Sequence, residues 1–129
     1  MGGPWTGWQA TILLLGLLEG DAEAQAKQRR ILEAVGNDVL LEKRSVRFSW
    51  VDAECYPEIG AALHVVQYPQ VVAFNNAKNT YAVLPNAFEQ SKIVSWTSKL
   101  LKGALAMRDR PDNAVVKVYG HYCVGNACM

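Results

Sequence analysis

The sequence is poor in the residue types that carry redox and metal chemistry. Its 129 residues include three cysteines, Cys55, Cys123 and Cys128, and two histidines, His64 and His121. Three scattered cysteines are too few for a disulfide framework, and an odd number leaves at least one sulfur without a partner inside the chain. No two cysteines stand in a Cys-x-x-Cys spacing. Cys123 and Cys128, four residues apart around Gly125, could close a small disulfide loop in an oxidising compartment. His121, Cys123 and Cys128 make a group of three where a structural zinc site needs four ligands, so neither a metal nor another cofactor is expected.

Charge of one sign is also missing. Thirteen Lys and Arg against twelve Asp and Glu leave a net charge of +1, no footprint for nucleic acid or an anionic membrane surface. The longest apolar run, Ala10 to Leu18, is too short to span a bilayer. No Lys or Arg precedes it, as a signal peptide would require, although small residues follow at Ala22, Ala24 and Ala26. The run reads as a buried central strand, with a signal peptide or a fragment of a longer precursor as the lesser alternative.

What is present is half hydrophobic by composition, enough for one well-packed core. After the first strand, Glu19-Gly20-Asp21 is a polar break, and Asp21 is placed to cap a helix with Glu23 in its first turn. Ile31, Leu32, Val35, Val39 and Leu40 recur at helical spacing, which predicts a helix from Ala22 to about Leu41, loosened or ended at Gly36-Asn37. Val46, Phe48 and Trp50 alternate with Ser45, Arg47 and Ser49 as in a strand, and Pro57 seeds a short second helix carrying Ile59, Ala62 and Leu63. Strands are predicted at Gln70–Phe74 and Thr80–Leu84, joined by the turn Asn75-Asn76-Ala77-Lys78-Asn79. Phe88 to about Leu105 is the last helix, with Ile93, Trp96, Leu100 and Leu101 along its apolar stripe, and Lys99, Lys102 and Gly103 suited to its C-terminal end. Arg108 to Asn113 reads as a linker, and Val115–Val118 as a further edge strand. The expected architecture is α/β, a central four- to five-stranded mixed sheet flanked by helices.

Tyr68-Pro69 stands at the mouth of the third strand, where proline cannot donate to a ladder. A cis peptide bond would account for that position. Together with Trp50-Val51-Asp52, Val71-Val72-Ala73-Phe74, Asn75-Asn76-Ala77-Lys78, Tyr81-Ala82-Val83-Leu84 and Phe88, it resembles thioredoxin-like domains over residues 8–106. The likeness is closest to the third, non-catalytic domain of small protein disulfide isomerases that carry two active thioredoxin domains upstream. Residues 1–7 are then an irregular N-terminal segment and residues 107–129 a tail. The resemblance implies that Pro69 is the cis-proline facing the start of the first helix, and that the compartment is the endoplasmic reticulum lumen, with mitochondrion or plastid as alternatives.

An active thioredoxin domain places Cys-x-x-Cys after its first strand, where the helix end makes thiolate available. The equivalent segment here, Leu18 to Ala24, contains no cysteine. The resemblance therefore implies a redox-inactive binding or structural module that is not an enzyme, with Gln67, Tyr68 and Pro69 as the lip of a peptide groove. Trp5 and Trp8, in the Gly-rich segment Gly2 to Trp8, are candidates for contact with a protein partner. Trp50 and Trp96 occupy core-facing positions. Cys55 reads as a half-buried packing residue and His64 as a loop histidine. Two other functions stay open: an accessory subunit of an organellar membrane complex, and a residual thiol enzyme or sensor using Cys55 or the Cys123/Cys128 pair.

Overall fold

The computed structural model describes residues 12–38, 46–75 and 77–109, and the backbone of 123–124 and 127–128. Strand β1, Ile12–Leu18, is apolar at every position, so both its faces must be covered. It lies inside the sheet, parallel to β2 (Val46–Asp52) on one side and antiparallel to β3 (Gln70–Asn75) on the other. Strand β4, Thr80–Val83, pairs with β3, and β5, Arg108–Asp109, closes the order β2-β1-β3-β4-β5. The stretch expected as a linker thus supplies the fifth strand. A separate antiparallel pair joins β6, Cys123–Val124, to β7, Ala127–Cys128. The strand expected at Val115–Val118 lies outside the described residues.

Alternation along β1 sends side chains into two cores. Ile12, Leu14 and Leu18, with Val71 and Ala73 of β3, face Leu32 and Val35 of α1 (Ala22–Gly36) and Ile93, Val94, Trp96 and Leu100 of α3 (Gln90–Leu101). Leu15 and Leu17, with Val72 and Phe74, face Ile59 and Leu63 around α2 (Pro57–Ala62). Two helices on one face and one on the other complete a thioredoxin-like α/β fold. Gly16 permits the closeness of α1, because a β-carbon there would collide with the Leu32 side chain.

Three expectations are corrected by this packing. Helix α1 stops short of Leu41, at the Gly36-Asn37 pair that the sequence marks as a possible end, with the Asn37 N–H returning to the carbonyls of Glu33 and Ala34 at 3.1 and 3.2 Å. The Phe48 ring sits against Gly36 so closely that a β-carbon would overlap it. Trp50 is 36% exposed, whereas Trp96 is buried as expected. The reason is that β2 is an edge strand, on which Trp50 is only partly covered and stacks against Phe48 at 6.3 Å between ring centroids. Helix α3 begins at Gln90 and ends at Leu101 instead of reaching Leu105. The Gly103 N–H donates to Leu100 and that of Ala104 to Lys99, while Gly103 at φ +72° turns the chain out of the helix. Among the described residues no helix is long and apolar enough to cross a membrane.

Candidate functional site

The site lies where β1 ends, α1 begins and β3 enters the sheet. Gln70 is the register partner of Leu17, so one step further along the two strands brings Pro69 beside Leu18 and the loop Glu19-Gly20-Asp21. The Tyr68–Pro69 peptide bond is cis, as the resemblance implies. Gln67 is exposed, Tyr68 and Pro69 are half-buried, and Val66, 88% exposed, continues the apolar surface next to them. Tyr68 is anchored from below by α2, where the absence of a side chain at Gly60 leaves room for the phenol hydroxyl. Gln67, Tyr68 and Pro69 are therefore contiguous and accessible; Trp5 and Trp8 lie outside the described residues.

Across from this lip, the loop is tied down by amides. Asp21 is the N-cap of α1, its Oδ1 accepting from the Ala24 N–H at 2.9 Å, as the sequence predicts. Gln28 clamps Glu19 from both sides: its Oε1 accepts from the Glu19 N–H and its Nε2 donates to the Glu19 carbonyl, each at 3.0 Å. Gln25 Nε2 donates to the Gly20 carbonyl at 3.0 Å and to Asp52 Oδ2 at 2.9 Å. The other Asp52 oxygen accepts from the Glu54 N–H at 2.9 Å, and the Ala53 N–H donates to Leu18 at 2.8 Å. One network thus fixes the ends of β1 and β2 to the first two turns of α1. Carboxylate and amide groups of this kind position backbone but do not exchange electrons with a disulfide.

Sequence reasoning missed Gln25, Gln28 and Asp52, which look like ordinary solvated positions until the fold bends the loop back onto them. It also misjudged Cys55. That residue is half-buried but is disulfide-bonded, its partner lying outside the residues whose side chains are described. Next to it, the buried Tyr56 hydroxyl has no hydrogen-bond partner, and burial, then the charge of Glu58, raises its pKa. His64 is exposed in a left-handed turn, φ +60°, in keeping with a loop histidine. Among the described residues no three His, Cys, Asp or Glu side chains converge as a metal site would require. A cavity of about 270 Å³ between His64, Tyr81 and Arg108 and another of about 330 Å³ along Ser91, Ser95 and Lys99 of α3 do not reach Tyr68-Pro69.

No protein-family profile matches the chain, and no curated protein does. Solved structures do. One, the structure of a malarial protein, superposes with a TM-score of 0.50 at 14% identity, over 74% of this chain and 99% of its own. At that identity the likeness is one of fold alone.

Proposed function

We propose that the chain is a redox-inactive thioredoxin-like module, related to the non-catalytic domain of small protein disulfide isomerases, that binds an extended segment of a protein partner. The observation that carries this reading is the cis Tyr68–Pro69 bond at the entry of β3, next to a cysteine-free loop that Asp21 caps and Gln25 and Gln28 of α1 tie down. An extended peptide laid along that lip gains main-chain hydrogen bonds of the strand-addition kind, and the half-buried Tyr68 ring and exposed Val66 offer its side chains apolar contact. No group in the loop supplies a nucleophilic sulfur, so binding leads to no chemistry there.

The test pairs a binding assay with a turnover assay. Fluorescence anisotropy with a labelled, reduced and carboxymethylated polypeptide is expected to show saturable binding, weakened about fivefold or more in Tyr68→Ala, the ~1 kcal/mol that marks a significant contact. Insulin reduction by the same preparation is expected to stay at background. Binding indifferent to Tyr68→Ala and Pro69→Ala in folded variants, or turnover above background, would overturn the proposal.

A further inference from the structure

At the edge of the sheet opposite β2, strand β5 pairs with β4 so that Arg108 stands against Tyr81 and Asp109 against Thr80. Opposed residues of an antiparallel pair share one face of the sheet, and successive residues take opposite faces. Ala82 and Met107 pack on the α1–α3 side, where the Thr80 hydroxyl donates to Met107 Sδ at 3.7 Å. Tyr81 and Val83 pack on the α2 side. Alternation therefore brings Ala106 and Arg108 to the side of α2 and turns Asp109 away from it.

The chain leaves α2 on that same side. The N–H groups of Leu63, His64 and Val65 return to the carbonyls of Ile59, Ala61 and Gly60 at 3.2, 3.3 and 2.9 Å, so the last carbonyls of the helix are satisfied by backbone. His64 then takes a left-handed conformation, φ +60°, which is uncommon for any residue but glycine. Between these two stretches lies the cavity of about 270 Å³, walled by Leu63, Tyr81, Val83 and Ala106 and lined at its polar side by His64 and Arg108. Among the described residues lining it none is acidic, and no hydrogen bond or ion pair engages the Arg108 guanidinium or the His64 imidazole.

We propose that this cavity binds a small organic carboxylate. The Arg108 guanidinium is permanently charged, and its planar fork meets a carboxylate in two parallel hydrogen bonds. An imidazole N–H of His64 supplies a further donor. One permanent positive charge, with no acid in the wall, balances a monoanion and leaves a dianion such as phosphate under-compensated. The apolar wall takes the hydrocarbon part, and it is preformed, because Leu63 and Tyr81 are core residues only 1% and 3% exposed. A volume of about 270 Å³ lies below the roughly 300–1,000 Å³ of drug-sized pockets, which limits the ligand to a few carbons. The site is separate from the Tyr68–Pro69 lip and does not depend on the peptide-binding proposal.

Titration of the isotope-labelled full chain with butyrate, at constant pH and ionic strength, tests the site. Saturable amide shifts are expected at Leu63, His64, Tyr81 and Arg108, with none from butyramide, which has the same shape and no charge. Inorganic phosphate and a blocked glutamate are expected to bind more weakly than butyrate, the second because its peptide groups would have to leave water against the apolar wall. Arg108→Gln is expected to weaken butyrate about tenfold or more, the loss of a charge-assisted hydrogen bond. His64→Gly is expected to weaken it about fivefold, the loss of one donor, while its urea midpoint stays level or rises because glycine accepts the left-handed backbone. That opposition of binding and stability separates a ligand-binding histidine from a merely structural one. Butyramide binding as well as butyrate, phosphate or blocked glutamate binding more tightly, or affinity for butyrate unchanged in the folded Arg108→Gln and His64→Gly variants would each overturn the proposal.

Discussion

Replacing Gly60 by alanine tests how the groove lip is held. In an unobstructed helix this change gains about 0.8–1 kcal/mol of helix propensity. Here the new β-carbon would overlap the Tyr68 hydroxyl and lie 3.2 Å from its Cζ and 3.6 Å from its Cε1. Overpacking of this kind costs about 1–3 kcal/mol, so the propensity gain is cancelled or reversed, with a net loss of up to about 2 kcal/mol. Tyr68→Phe in the same background removes the colliding oxygen and leaves a contact that a shift of a few tenths of an ångström relieves. The four-member cycle wild type, Gly60→Ala, Tyr68→Phe and the double variant is therefore expected to be non-additive by about 1 kcal/mol or more, with the double variant more stable than the sum of the single effects. Urea unfolding measures it, provided the slope with denaturant stays constant across the four. Stabilisation by Gly60→Ala of about 1 kcal/mol, with additivity inside ~0.5 kcal/mol, would show that Tyr68 does not rest on α2.

Three further outcomes follow from other parts of the fold. Because burial and Glu58 keep Tyr56 protonated in the folded chain above its ordinary value of 10.0, stability is intact below that pH and falls as pH rises past it, when the unfolded phenol ionises first. Tyr56→Phe is expected to lessen that alkaline loss in urea titrations without cost at neutral pH, since the hydroxyl has no bond to lose; an unchanged alkaline profile would contradict the burial. Asp21→Cys with Ala24→Cys puts thiols where the carboxylate now meets the helix N–H, and is expected to raise insulin reduction above that of the parent chain at about 1 kcal/mol of capping energy. Inactivity of a folded double variant would mean that the loop does not have thioredoxin geometry. Reducing a bond from Cys55 to either tail cysteine opens a loop of roughly 70 residues, which chain entropy values at about 4 kcal/mol; a urea midpoint unmoved by phosphine would refute that contribution.

Local pattern carried much of this architecture, and it failed where long-range pairing decides. Seven apolar residues from Ile12 to Leu18 had to sit inside a sheet, and a proline before Gln70 demanded a special peptide bond; both properties belong to the residues themselves. Trp50 shows the limit. Its alternation with Arg47, Ser49 and Val51 identifies a face, but only the pairing of β2 with β1 alone makes that position an outer one. Arg108–Asp109 is too short to show a period and becomes a strand because Thr80 and Tyr81 are there to pair with it. Val39 and Leu40 continue the helical spacing of α1, yet the helix ends at Gly36, with Asn37 as its C-cap. Gln25 and Gln28 look like solvated helix residues in sequence, and their role exists only because the chain folds Glu19 and Gly20 back over them. The bond at Cys55 is likewise invisible to spacing.

The most direct measurement is a map of backbone amide shifts in the isotope-labelled chain as a reduced, carboxymethylated polypeptide is added. A groove bounded by the cis-proline lip and the amide-tied loop predicts saturable shifts concentrated at Glu19, Gly20, Gln67, Tyr68 and Gln70, diminished in Tyr68→Ala. Shifts confined to the outer face of α3, around Ser91, Ser95 and Lys99, with the loop and lip silent, would contradict it.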